Sequence, residues 1–298
     1  MKYAGKLLKL LTLLVIATGC LRLDSQLYNS DNTIDQYHLD NYEGEVELDV
    51  GEDYTIGDSL ISLFSLQSDP GGDNKTIYVL YVGDVSRIQQ DTVILYCHGN
   101  RDHLDFYWPR IKLLANAGGK NRYGVMALDY RGFGLSEGPS SEEGMYEDVD
   151  ACMAWLKSMG LTDDRLVIYG YSLGSAAATE LSANPRSMTP SKLMLEAPFA
   201  SDEVMTQDAS GLSLPGSYFS NLSIDVADDI TRVSQPFFWI HGTDDDFLSI
   251  ETHGELVYSR YQGSYSEAHR IEGAVHNNVP QVMGFEKYLA AVADFIQR

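Results

Sequence analysis

The chain has 298 residues, 44% of them hydrophobic, enough for one large α/β domain or two small ones around an ordinary core. Its 21 Lys and Arg face 43 Asp and Glu, a formal charge of -22, so the summed field repels nucleic acid and argues against DNA or RNA as a partner. No internal repeat and no interdomain linker divides the chain, which favours a single domain.

The first residues differ in kind. Lys2, Lys6 and Lys9 precede or enter an apolar run from Leu7 to Ala17 that holds no acid, the pattern of a secretory signal, and the run is shorter than the roughly 20 residues a membrane-spanning helix needs. It ends in Ala17-Thr18-Gly19-Cys20, which resembles the lipobox of bacterial lipoproteins. The resemblance implies cleavage before Cys20 and several acyl chains on it, enough for stable anchoring where one chain holds only marginally. Residues 1–19 are therefore expected as a lipoprotein signal peptide, and the chain as exported and lipid-anchored to a bacterial cell membrane. By the same resemblance Leu21, rather than Asp, after the cysteine is compatible with outer-membrane sorting if the source is Gram-negative. The plainer reading is an ordinary secretory signal with an incidental cysteine. Of the other cysteines, Cys97 sits in an apolar strand and Cys152 on the apolar side of a helix, so both are expected as buried thiols, and no zinc spacing appears.

Residues 20–45 are rich in Asp, Asn, Ser and Tyr without periodicity and read as a polar tether. The runs Val46 to Val50, Leu60 to Leu66 and Ile77 to Val82, separated by turn formers, predict an antiparallel meander that opens a domain over 46–298. After Asp91 strands alternate with helices, the signature of a parallel sheet with helices on both faces. Val93 to Cys97 is strand, Leu104 to Ala117 helix with Pro109 tolerable near its start or as a kink, and Val125 to Leu128 strand. Ser140 and Glu143 make a capping-box pair for a helix running to Gly160. Lys192 to Glu196, Pro236 to Ile240 and His269 to Glu272 are further strands, and Val282 to Ile296 a last amphipathic helix. Residues 197–235 break the alternation, with a short helix over 202–209. They form either a small cap or one ordinary helix with long loops.

The chemistry centres on Leu166 to Ala178, LVIYGYSLGSAAA, a buried strand that breaks at G-x-S-x-G and turns into a small-residue helix. Gly170 and Gly174 flank Ser172 where a sharp strand-to-helix turn leaves no room for side chains, which lifts the hydroxyl off the sheet edge. A serine hydroxyl is a weak nucleophile and needs a base oriented by a third group. Among seven histidines, His276 stands in a short loop between a strand and the final helix, at the same sheet edge as Ser172. An acid is expected from the strand end between them, where Asp244, Asp245 and Asp246 follow His241-Gly242-Thr243.

Taken together, LYCHGN at 95–100, LDYRGFGLSEG at 128–138, GYSLG at 170–174, APF at 197–199, HGTDD at 241–245 and the His276 loop make the chain similar to the α/β-hydrolase superfamily, in its compact lysophospholipase-like and acyl-protein-thioesterase-like branch. The resemblance spans about Tyr78 to Arg298 in the superfamily's order of Ser, Asp, His. It implies the α/β-hydrolase fold, with Asp245 as the acid and Asp244 in reserve. It also implies an oxyanion hole from the backbone N–H groups of Leu173 and Asn100, with Arg101 competing for the second place, and the DYRG turn at 129–132 as support for that loop. Ser249 and Val275 depart from the common pattern without touching a catalytic group. The implied activity is hydrolysis of a carboxylic ester, whether acyl ester, lysophospholipid-like or thioester, through an acyl-enzyme. No metal or organic cofactor is required, and the expected partners are a small-molecule or lipid-like acyl substrate and the membrane through Cys20. The alternatives are a serine aminopeptidase or amidase on the same triad, and a non-catalytic surface binding lipoprotein.

Overall fold

The computed structural model describes residues 28–68, 72, 74–120, 122–210 and 223–298. The expected signal peptide and Cys20 lie outside these residues, as does the middle of the segment expected as a cap.

Eight strands form one sheet. In chain order the elements are β1 (Ile61–Ser68), β2 (Lys75–Val82), β3 (Val93–Cys97), α1 (Leu104–Ala115), β4 (Gly124–Asp129), α2 (Glu142–Ser158), β5 (Leu166–Tyr171), α3 (Gly174–Ala183), β6 (Lys192–Glu196) and α4 (Asp202–Ser210). There follow α5 (Val226–Asp229), β7 (Phe237–Gly242), α6 (Glu255–Arg260), β8 (Ser266–Ile271), α7 (Val279–Met283) and α8 (Phe285–Gln297). The strand order is β1-β2-β4-β3-β5-β6-β7-β8. β2 runs antiparallel to β1 and β4, and every pairing from β4 through β8 is parallel.

The unbroken apolar runs of the central strands follow from burial on both faces. Val93, Leu95 and Cys97 of β3 pack with Leu166 and Ile168 of β5 beneath α2 and α3, while Ile94, Tyr96, Val167, Tyr169 and Tyr171 pack on the other face against α1 and α8. Cys97 and Cys152 are both free and buried, as the sequence implied. Register levels the carboxyl ends of the strands, with Cys97 beside Gly170, Tyr171 beside Glu196, and Gly242 beside Ile271. The loops after β3, β5, β7 and β8 therefore open on one edge, where ligands of such sheets bind.

Four expectations are corrected. Val46 to Val50 is not a strand: Leu48 and Val50 are buried against the α1 face, but the backbone joins no ladder. The cap of α2 is Ser141, whose hydroxyl accepts from Gly144 N, not Ser140, which instead donates to Arg131 O. The last helix is two, divided at Gly284, whose φ of 86° favours a residue without Cβ. Finally, the described part of the tether, 28–45, lies against the body. His38 N and Leu39 N donate to the Asp105 carboxylate, and Tyr37 OH donates to Asp129 Oδ2 at 2.7 Å. Its polar groups are satisfied by this wall and not by a ladder, so no periodicity marked it.

Candidate active site

The strand-to-helix turn after β5 puts Ser172 in the left-handed region at φ 51°. The turn is tight because two glycines permit it. A Cβ on Gly174 would stand 2.1 Å from Cys97 O, and one on Gly170 would stand 2.7 Å from Gly174 O. Ser172 N donates to Glu196 O at 3.0 Å, and Ser175 Oγ donates to Ser172 O at 2.6 Å. Both bonds hold the strained residue from its neighbours.

Three side chains from three loops then meet. His276 Nε2 is 2.9 Å from Ser172 Oγ, and His276 Nδ1 is 2.8 Å from Asp245 Oδ2. With Asp245 ionised, Nδ1 carries the proton and Nε2 is free to accept from the serine. The carboxylate that meets His276 is that of Asp245 and not of Asp244, which is exposed and accepts from Thr243 Oγ1 in the turn. Burial pushes the Asp245 carboxyl up. Hydrogen bonds from His241 and His276, the His276 charge and the Leu248 N–H outweigh it and hold the group well below the usual carboxylate range.

His241 is the member that sequence reasoning missed, taking it for a turn residue before glycine. It is fully buried, and its Nε2 lies 2.9 Å from both Asp245 Oδ2 and Leu248 O. Both partners are acceptors, so Nε2 is the protonated nitrogen and donates to them. Its place four residues before the acid, at the end of a buried strand, was the available signal.

A buried ion cluster supports the His276 loop from below. Arg110 donates to both oxygens of Glu47 at 2.8 and 3.0 Å, to Glu196 Oε2 at 2.6 Å and to Asn277 O at 3.4 Å, and it lies over the Tyr171 ring at 4.3 Å. Burial opposes its charge, but the carboxylates of Glu196 and Glu47 outweigh burial and hold the guanidinium above its ordinary value. Tyr169 and Tyr288 also donate to Glu196 Oε2. The Tyr171 ring sits 5.5 Å from that of His276.

Both residues expected to supply the oxyanion donors line a recess beside Ser172. Leu173 is the residue before the first turn of α3, whose N-terminus favours negative charge. Asn100, in the loop after β3, lines both the cavity over Ser172 and the recess that Leu173 lines. The DYRG turn braces that loop: Tyr130 OH donates to His98 O at 3.0 Å, and Asp129 accepts from Leu104 N at 3.3 Å. A cavity of about 380 Å³ opens over Ser172 and His276, walled by Phe106, Tyr107, Tyr171 and Phe247 with Glu47 and Asp246. A smaller apolar recess, which shares Asn100, Ser172 and Phe247 with this cavity, is lined further by Leu173, Phe199, Met205, Ile224 and Leu248. Among the described residues there is no group of three or more His, Cys, Asp or Glu placed to hold a metal ion.

A family model described as the alpha/beta hydrolase fold matches residues 92–210. An esterase of Pyrococcus furiosus superposes with a TM-score of 0.66 over 92% of this chain and 97% of its own, at 19% identity. The chain has the α/β-hydrolase fold. A second solved structure, a membrane phospholipase A described as a novel bacterial virulence factor, gives a TM-score of 0.56 at 19% identity, covering 80% of this chain and 86% of its own. By sequence, the chain is 27% identical over 208 residues to the alpha/beta hydrolase domain-containing protein 17B of Xenopus laevis, covering 68% of this chain and 65% of that protein. It is 26% identical over 210 residues to the 17B protein of Homo sapiens, covering 69% and 66%. The chain thus matches somewhat under two thirds of the length of these curated relatives.

Proposed function

We propose that the chain is a serine hydrolase of carboxylic esters that works through an acyl-enzyme. The observation that carries the reading is the continuous hydrogen-bonded series from Ser172 Oγ through both nitrogens of His276 to the buried Asp245 carboxylate. Ser172 Oγ attacks the acyl carbon as its proton passes to His276 Nε2. Asp245 stabilises the imidazolium and fixes its ring, and the N–H groups of Leu173 and Asn100 receive the oxyanion. The tetrahedral species expels the alcohol or thiol, which takes the proton from His276. Water then adds to the acyl-serine with His276 again as base, releasing the acid and restoring Ser172.

The apolar recess beside Leu173 and Phe199 suits the acyl group, and the larger aromatic cavity the leaving group. Substrates of acyl ester, thioester or lysophospholipid-like chemistry fit this division, and the esterase and phospholipase among the structural neighbours support it. We further propose export and lipid attachment at Cys20, tested by radiolabelled palmitate incorporation that Cys20→Ser abolishes. The test of the reaction is a panel of acyl esters of graded length, thioesters and aminoacyl amides run beside Ser172→Ala. Ester turnover absent in the variant supports the proposal, faster turnover of amides would replace it with an amidase, and turnover surviving in Ser172→Ala would overturn it.

A further inference from the structure

The loop that carries Asn100, between β3 and α1, is irregular, and it includes Asp102 in the left-handed region at φ 48°. A loop of this kind is a poor holder for a donor whose value depends on fixed aim. Residues 29–31 run along this loop and bond to it. Asn29 N donates to Asn100 Oδ1 at 2.8 Å, Asp102 N donates to Asn29 O at 3.1 Å, and Asp31 N donates to Asp102 O at 3.3 Å, so that Ser30 and Asp102 pair as a parallel bridge. The segment is itself fixed from behind, because Asp31 O accepts from Gly134 N at 2.8 Å and Asp31 Oδ1 accepts from Thr33 N at 2.8 Å. Further along, Glu45 meets Arg101, and Glu47 N donates to Phe106 O at 3.1 Å. Asn29 and Glu47 both line the cavity over Ser172.

We propose that residues 29–31 are a clasp that positions the Asn100 N–H as an oxyanion donor, with the Asn100 side chain as its catch. The inference rests on the hydrolase reading above. It makes the N-terminal segment a part of the active site, and it gives the Asn100 side chain a role although only its backbone would touch the oxyanion. Asn29 acts through main-chain atoms, which is why its residue type carries no signal. Asn100→Ala keeps the oxyanion N–H and loses the catch, while Asn29→Pro keeps the side chain of Asn100 and loses the donor to it.

The experiment measures kcat and KM for a short-chain p-nitrophenyl ester on the full chain, per active site titrated with a fluorophosphonate so that misfolded molecules drop out. It also measures affinity for a trifluoromethyl ketone, which forms the oxyanion on Ser172. The expected result is a fall in kcat of about 10- to 100-fold in each variant with KM little changed, an equal loss of ketone affinity, and a double variant no worse than either single one. Wild-type kcat in Asn100→Ala would overturn the proposal, as would a rise in KM with kcat unchanged, which makes the segment only a wall. Should Asn29→Pro not fold, Asn100→Ala decides alone. A wild-type chain that turns over no ester fails at the hydrolase reading instead, and the clasp falls with it.

Discussion

Asp245 accepts from two imidazoles at once, and the two serve different ends. In the proposed hydrolase His276 moves a proton through Nε2, which is directed at Ser172, whereas His241 is locked between Asp245 and Leu248 O and holds the carboxylate in place. Replacing the acid by its amide turns the His276 tautomer the wrong way. Asp245→Asn is therefore expected to lower kcat by about 10⁴-fold with the fold intact, while Asp244→Asn stays near wild type, both read by ester turnover. A second residue sets a pH dependence of stability. His253 is buried, accepts from Ala200 N at 3.0 Å and faces Asp208 on α4. Burial lowers its pKa to about 4; Asp208 and Asp245 favour its charged form, and His241 and His276 oppose it. In the unfolded chain the group titrates near its ordinary value of about 6.5, so between these values the unfolded state binds the extra proton. Stability should thus fall as pH drops from about 6.5 to about 4, and His253→Gln should flatten that slope in urea midpoints measured across the window.

At the scale of elements, the Arg110 cluster ties together four parts that the chain separates widely: the irregular segment with Glu47, helix α1, the end of β6 at Glu196 and the His276 loop at Asn277. Removing the guanidinium leaves two buried carboxylates without their cation, which costs about 3–5 kcal/mol, and it also releases the Asn277 carbonyl next to His276. Arg110→Met should lower the urea midpoint by that equivalent and reduce kcat more than KM changes. Wild-type stability in the variant would show that the cluster is dispensable. Asp208 ties α4 to the far side of the same edge by accepting from Thr252 Oγ1. Helix α4, one of the elements the sequence placed correctly, thereby borders the apolar recess through Met205.

Over the whole molecule, the parallel sheet, its antiparallel start and the three side chains proposed for catalysis were legible because each has a local signature: unbroken apolar runs, G-x-S-x-G, and single residues in short loops at strand ends. What was not legible depends on long-range pairing. Glu47 looks like one polar residue in a β-rich run until Arg110 is found opposite it. The stretch 28–45 looks like a tether until Asp105 and Asp129 are found to receive its backbone and tyrosine groups, and His241 looks like a turn residue until its second acceptor is seen. The summed charge of -22 acts at this scale too. It predicts that kcat/KM for an ester with an anionic leaving group rises with added salt while that for a neutral ester stays flat, read between low ionic strength and about 0.15 M, where screening acts over about 8 Å. The central claim is that one serine among the many in the chain is activated by its surroundings. Its most direct test is reaction with a fluorophosphonate followed by mass spectrometry of the peptides: the account predicts a single adduct on Ser172, absent after His276→Ala, and an unmodified Ser172, or an adduct elsewhere, would contradict it.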